Sequence, residues 1–474
     1  MKDSLDKILE EVRGREVPTS ERYGQVLGLA ERIRRRVEEE ALNRGVFVEA
    51  SVEGSVAKDT WLGSEVDIDI FMLIPEEVEK EKIFSVYMDV ARESVREYGW
   101  IERYAEHPYV EAVVDGGIKI NIVPCYKVKP PNWKTATDRT PYHTQYIKTH
   151  LKEEQKNEVR ILKRFMKGIK VYGADIKTGG FSGYLTELLI IRYGNFIETL
   201  KSVSKWRIGE TIDIENHYGG EIGEIKKLFT EPLILIDPAD KNRNVAAAVR
   251  LEKLNIFRVA SKLFLKKPSL KFFYPPKIKP PNPENMEKLL DERPSNLLFL
   301  KLGRVEAVPD VLWGQIYKTS KAIKNLLEKN DFKVLRVSAW SDEKENSVLV
   351  FELENLKLEN IKKHYGPPVS SSEEENFVGK YLGSQRTVSG PYVEDGRWVV
   401  LIKRKYLDAK RLLEEKLGRG KFGRDFGVAG RVSEALRRGF NIFVDGEIIP
   451  FYRENVSFAS FLAEFLRGKP SWLE

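Results

Sequence analysis

The chain is poor in sulfur and histidine, with one cysteine, five methionines and five histidines among 474 residues. A single cysteine, Cys125, excludes an internal disulfide and any zinc cage built from cysteines. That usage suits a reducing, intracellular setting. The histidines are scattered, and none makes a paired zinc spacing. No apolar run approaches the roughly 18 residues of a spanning helix. With 32% charged residues and a mean hydropathy of −0.39, an integral membrane protein is excluded. The opening stretch MKDSLDKILEEV carries acidic residues where an export signal needs an apolar core, so a cytoplasmic protein is expected. There is no internal repeat and no low-complexity tail. At roughly 150 residues per domain, the length predicts about three domains.

The net charge of +7 is unevenly spread. From Arg258 to Pro281 there are seven basic residues and no acidic one. From Leu401 to Arg438 there are 12 basic and 5 acidic residues, which leaves the rest of the chain acidic. Two separate basic segments suggest a polyanion partner. Aromatics lie among these charges: Phe272, Phe273 and Tyr274 in the first segment, Tyr406, Phe422 and Phe426 in the second. Such rings either stack unpaired bases while the cations hold phosphates, or belong to the core beneath a solvated helix face. Gly418, Gly420, Gly423 and Gly427 favour a backbone-contacting loop in the second segment, with Lys421, Phe422 and Arg424 as its RNA-binding candidates.

Hydrophobic periodicity predicts a helix over 20–44, capped by Thr19 or Ser20. A strand is expected over Val46–Glu53, a turn from Gly54 to Leu62, and a second strand over Val66–Leu73. A helix over Ile83–Tyr98 and a hairpin of Tyr109–Val114 with Ile118–Pro124 follow. Gln145–Met166, Gly183–Val203 and Asn244–Phe264 read as helices. The proline-rich stretch Lys267–Asn285 reads as a linker. Beyond it strands and helices are mixed again, with strands expected over Leu297–Leu302, Val334–Trp340, Ser347–Glu354 and Trp398–Lys403 and helices over Val311–Leu327, Glu373–Leu382 and Leu407–Leu417. The pattern is that of an α+β multidomain protein.

The chemistry-bearing stretch runs from Gly54 to Phe71. Asp67 and Asp69 stand two apart on a strand, so both carboxylates leave the same face. Like-charge repulsion makes that pair costly unless a divalent cation lies between them. Mg²⁺ suits carboxylate and phosphate oxygens. Gly54 and Ser55, with Ser55 12 residues upstream of Asp67, follow the preceding strand. Glycine lets a phosphate approach the backbone, Ser55 offers a hydroxyl and Lys58 a balancing charge. Together they suit a nucleoside triphosphate held against metal for in-line displacement.

Gly-Ser followed at this spacing by Asp-Ile-Asp resembles the nucleotidyltransferase superfamily that includes DNA polymerase beta. Further segments, in order along the chain, resemble the archaeal-type (class I) CCA-adding tRNA nucleotidyltransferases. They include Glu106–Tyr109, Val123–Tyr126, Asp138–His143, Tyr172–Ala174, Gly180–Leu185, Arg243–Ala246 and Gly366–Pro368. The resemblance implies a polymerase-beta-like nucleotidyltransferase head over 1–140, a helical neck over 141–270, and a mixed α/β body with nested tail over 275–474 that binds tRNA. It implies a template-independent enzyme adding C, C and A to the tRNA 3′ end from CTP and ATP. It allows a homodimer without requiring one. Asp67 and Asp69 match the family's metal ligands, and Ser55 and Lys58 its triphosphate side. His107, His143, Lys163, Tyr172 and Arg243 fall where the family lines its nucleotide pocket, with Arg243 the candidate for reading the base.

One position departs from the family. The third carboxylate of the catalytic set is here Asn121, on the strand Ile118–Val123 and opposite its isoleucine face. Asparagine ligates metal weakly and cannot act as a base. Substrate binding is therefore expected to survive better than chemistry. Glu111 and Asp115 are the nearby carboxylates that could substitute. Another RNA nucleotidyltransferase, such as a poly(A) or oligoadenylate synthase, and a non-catalytic RNA-binding protein are the competing readings.

Overall fold

A computed structural model describes residues 2–104, 108–114 and 116–473. The chain forms two compact units, Met1–Lys277 with Lys469–Glu474, and Ile278–Gly468.

The first unit opens with α1 (Lys2–Glu16) and α2 (Ser20–Asn43). Thr19 caps α2, its hydroxyl accepting from the Arg22 amide at 3.2 Å. Then come β1 (Glu49–Glu53), the one-turn α3 (Gly54–Ala57) and β2 (Asp67–Ile74). The short α4 (Lys80–Lys82) leads through a π-turn into α5 (Met88–Ser94), followed by β3 (Gly99–Tyr104), β4 (Pro108–Val114) and β5 (Ile118–Tyr126). The five strands form one sheet in the order β1-β2-β5-β4-β3, with β2 and β5 parallel and the other pairs antiparallel. Period-2 alternation puts Ile68, Ile70, Met72, Ile120 and Ile122 on one face, buried with Ile33, Val37 and Met88 of the covering helices. Burial of each such side chain contributes about 1.5–3 kcal/mol. That fixes the register, because a one-residue slip would bury the carboxylates instead. The opposite face is thereby left to Asp67, Asp69 and Asn121.

The same unit continues through α6 (Thr140–His150), α7 (Glu153–Gly168), α8 (Gly183–Tyr193), α9 (Phe196–Val203), α10 (Ile222–Leu228) and α11 (Leu251–Lys266). A small sheet of β6 (Glu210–Ile212), β7 (Leu233–Asp237) and β8 (Asp240–Asn244) is set among the later helices in sequence. The single helix expected over Gln145–Met166 is two, because Gln155 turns back to accept the Lys152 amide at 3.0 Å and starts α7 afresh. Gly194, at φ +91°, likewise divides the helix expected over Gly183–Val203. Phe272 and Phe273 are buried against Phe165 and Phe264. The base-stacking alternative for these two rings is therefore withdrawn: they are core.

The second unit runs through α12 (Pro283–Asp291), β9 (Asn296–Leu302), α13 (Pro309–Lys329), β10 (Val334–Ser341), β11 (Ser347–Leu353), β12 (Ile361–Pro368) and α14 (Glu374–Leu382). It continues with β13 (Thr387–Glu394), β14 (Arg397–Lys403), α15 (Ala409–Gly418), α16 (Gly430–Arg438), β15 (Phe440–Val444), α17 (Ile449–Glu454) and α18 (Val456–Arg467). One sheet has the order β10-β11-β9-β15 and a second the order β12-β14-β13. The second sheet is inserted in sequence between β11 and β15. Among the described residues no helix is long and apolar enough to cross a membrane.

Candidate active site

The register of the large sheet aligns four polar residues across it. Glu53 pairs with Asp69, Asp69 with Asn121, and Asn121 with Glu111. Register partners share a face, so these side chains form one transverse row. Asp67 lies one step along β2, beside Lys119 of β5.

Asp69 is wedged in this row. The Asn121 Nδ2–H donates to Asp69 Oδ1 at 2.9 Å. On its other side is Gly54, at φ +67°, where an added Cβ would stand 2.0 Å from Asp69 Oδ2. Glycine is needed there both for the left-handed backbone and for the approach of the carboxylate. Burial raises the Asp69 carboxyl to about 6, against the hydrogen bond from Asn121 and with the charge of Asp67. Two oxygens beside this carboxylate are buried without a partner among the described residues: Asn121 Oδ1 and Glu53 Oε2. Glu111 is committed elsewhere, its Oε1 accepting from Arg103 at 3.0 Å. Asp115 lies outside the described residues.

The donor set suits a hard divalent cation. Asp67 and Asp69 supply carboxylate oxygens on one face, and the unpartnered Asn121 oxygen is an amide acceptor of the right chemistry. It is weaker than a three-carboxylate set, and among the described residues no group of three acidic, histidine or cysteine side chains is placed to hold a metal.

Ser55 and Lys58 flank this row at the start and end of α3. The Lys58 ammonium is buried, donates to Glu187 Oε2 at 2.6 Å and lies 5.9 Å from the Tyr184 ring. Lys163, on α7, is buried beside it and donates to Glu187 Oε1 at 3.2 Å. Tyr172 is half-buried, with the Lys167 ammonium 5.0 Å over its ring, and burial raises its phenol. The Gly183 start of α8 faces both groups: a Cβ there would stand 3.0 Å from the Tyr172 hydroxyl and 3.8 Å from Lys163 Nζ.

His143 and Arg243 meet on a third carboxylate that the sequence reading missed. Asp237, fully buried at the end of β7, takes His143 Nε2 at 2.9 Å and Arg243 Nη1 at 2.6 Å on one oxygen. The Tyr184 hydroxyl donates to its other oxygen at 3.2 Å, and the His143 and Tyr184 rings stack at 4.0 Å. Burial alone would raise the Asp237 carboxyl, but the His143 hydrogen bond and the charges of His143 and Arg243 hold it at about 2. Burial pulls the His143 imidazole below its ordinary value, against the pull of Asp237. Asp237 fixes the direction of Arg243 as a buried anion fixes a guanidinium. The one sequence signal was Asp237 closing the apolar run Leu233–Ile236. Glu187 carried less signal, lying in α8 next to Thr186 and the core run Leu188–Ile190. His107 lies outside the described residues.

In the second unit, Lys421 and Arg424 are exposed, and Arg424 pairs with Glu434 at 3.3 Å. Phe422 is half-buried, packed against the local core with Arg437 5.7 Å over its ring. Tyr406 is buried and Phe426 packs on the same core.

Two carboxylates beginning a central strand, beside a glycine-opened turn on a mixed sheet, define a nucleotidyltransferase head. Family models agree along the chain. The nucleotidyltransferase domain matches residues 30–143, the second domain of tRNA nucleotidyltransferases 157–274, and the CCA-adding enzyme C-terminal domain 293–445. The chain is 40% identical to the CCA-adding enzyme of Methanosarcina acetivorans, over 83% of this chain and 84% of that one. It is 37% identical to that of Methanosarcina mazei over 93% of each. It is also 37% identical to that of Pyrobaculum neutrophilum, over 88% and 94%. The chain belongs to the CCA-adding enzymes, the family that its sequence motifs resemble.

Proposed function

We propose that this protein adds C, C and A to the 3′ end of tRNA from CTP and ATP, without a template and with release of pyrophosphate. The observation that supports the reading is the row of Asp69 and Asn121 behind Gly54, in a chain that matches a CCA-adding enzyme over 93% of its length. Asp67, Asp69 and, more weakly, the Asn121 oxygen would hold Mg²⁺. When bound, it would neutralise phosphate charge and lower the pKa of the attacking hydroxyl.

Ser55, Lys58 and Lys163 bind the triphosphate, and Tyr172 bounds the pocket near Lys163. The His143 and Tyr184 rings offer a stacked platform beside the base. Arg243, aimed by Asp237, donates to its edge. A pocket that pairs a base edge rejects a nucleotide lacking the partner, because its own groups are left unpaired. No template strand is needed for that choice.

We assign residues 1–140 as head, 141–270 as neck, and 275–474 as body and nested tail. Lys421 and Arg424 hold tRNA phosphates, with Phe422 supporting their loop. Recognition through phosphate and shape suits an enzyme that serves every tRNA. A cytoplasmic site of action accords with a tRNA substrate and a free, buried Cys125.

The test is incorporation of labelled CTP and ATP into tRNA lacking its 3′ CCA. Ordered addition of two C and one A is expected, slowed by Asn121. Addition of A alone to unrelated RNA would favour a poly(A) synthase. Binding of tRNA with no incorporation, even after Asn121→Asp, would favour a non-catalytic binder.

A further inference from the structure

Glu187 is a fully buried carboxylate inside α8, whose neighbours Leu185, Leu188, Leu189 and Ile190 are core. An ionised group in such a place is strongly disfavoured unless its oxygens are satisfied. Here both are. Oε2 accepts from Lys58 Nζ at 2.6 Å, and Oε1 accepts from Thr60 Oγ1 at 2.5 Å and Lys163 Nζ at 3.2 Å. Lys163 Nζ also donates to the Thr60 carbonyl and hydroxyl oxygens, both at 3.1 Å. The nearby Arg160 is matched by Asp59 and donates to the Trp61 carbonyl at 2.9 Å. Within this hydrogen-bonded cluster two buried ammoniums share one carboxylate, so one positive charge has no anion bonded to it there, and Asp69 acts on Lys58 only through space.

Stability alone gives no reason for this arrangement, since apolar residues of similar volume would serve a core as well. An unmatched buried cation does suit an anion that comes and goes. Burial pulls Lys163 down to about 8, with Lys58 and Arg160 adding to the fall and Glu187 opposing it. The Tyr172 phenol is the other titratable group facing Lys163, and it stays neutral across the pH range of use.

We propose that Glu187 is the positioning residue of the triphosphate pocket: it clamps Lys58 and Lys163 in place and keeps Lys163 charged, leaving one positive charge of the cluster for the incoming phosphates. The proposal rests on reading Lys58 and Lys163 as triphosphate contacts. It implies that CTP affinity weakens as pH rises through about 8, where free Lys163 loses its proton. Removing the negative charge of Glu187 makes that proton leave at lower pH.

The experiment measures CTP dissociation constants from pH 7 to 9.5 for the natural protein, Glu187→Gln and Lys163→Met. The natural protein is expected to lose affinity above about pH 8, and Glu187→Gln to begin its loss at least one pH unit lower. Lys163→Met should bind CTP at least about tenfold more weakly, with no such pH dependence. A Glu187→Gln protein that folds, binds tRNA normally and keeps the natural pH profile overturns the proposal while leaving the triphosphate reading intact. Unchanged CTP affinity in Lys163→Met overturns that reading, and the proposal with it. If Glu187→Gln does not fold, the double variant Glu187→Gln/Lys58→Met removes one cation with the anion. Its CTP affinity should still begin to fall at lower pH than in Lys58→Met alone, and coincident profiles overturn the proposal.

Discussion

Asn121 donates to the carboxylate that a third acidic group would repel. Its Nδ2–H on Asp69 Oδ1 at 2.9 Å helps an otherwise crowded, buried carboxylate to ionise. The same bond turns the amide oxygen away, where it has no partner. A cation must therefore displace or rotate the amide to use it. Because Asp69 titrates near 6, protons compete with metal below that value. Divalent affinity of the nucleotide-free protein, followed with Mn²⁺ by electron paramagnetic resonance, should hold steady above pH 7 and fall as pH drops through 6. A profile flat down to pH 5 would remove Asp69 from the metal site. Asp69→Ala should abolish nucleotide incorporation while tRNA affinity changes by less than about threefold, checked by single-turnover assay and filter binding. At this scale the sequence was legible where spacing forces geometry: Asp67 and Asp69 share a face because strands alternate. Asp237 and Glu187 were not legible. Their roles come from partners the fold brings to them, His143 to Asp237 and Lys58 and Lys163 to Glu187, and from the β7–β8 turn that returns Arg243 to Asp237.

The decisive element is the short segment from β1 through α3 to β2. Its turn works only because Gly54 accepts φ +67° and leaves room for Asp69. Gly54→Ala combines left-handed strain with a clash against a carboxylate, so a loss of about 1–3 kcal/mol is expected. Thermal unfolding should show the lost stability, and incorporation should fall at least a hundredfold as Asp69 is displaced. The loop at 418–427 is a second such element, with Gly420, Phe422, Gly423 and Gly427 all at positive φ. Neutralising Lys421 and Arg424 should lower the salt dependence of tRNA binding by about one slope unit per lost phosphate contact. Helical periodicity made α2 and α13 readable, and a continuous apolar run made β11 so. The strand expected over Val46–Glu53 begins only at Glu49, because Val46 and Val48 pack on the core without joining the sheet. β3, β12 and β13 were not legible because hardly any of their residues are buried, so no apolar face marks them. The breaks at Leu151 and Gly194 depend on side-chain caps and a left-handed glycine, which interrupt helices without interrupting their apolar stripe.

Across the whole molecule, composition predicted the class of partner before any residue could be assigned a role. An α+β multidomain chain with two basic segments on an acidic background was legible from the sequence, and Phe272 and Phe273 of the first segment proved to be core. The division of labour between binding and chemistry follows from the site. On the roles proposed for Lys58, Lys163, Arg243 and the exposed basic loop, substrates should bind normally. On the same proposal the charge missing at Asn121 bears on the attack of the 3′-hydroxyl, and should act on the transition state. The most direct measurement is single-turnover CTP incorporation into tRNA lacking CCA, at saturating Mg²⁺, by the natural chain and by Asn121→Asp. The account predicts a rate at least about tenfold higher for the aspartate, equivalent to about 1.4 kcal/mol of barrier, with the CTP dissociation constant changed by less than about threefold. Equal rates, or a change confined to CTP affinity, would contradict it.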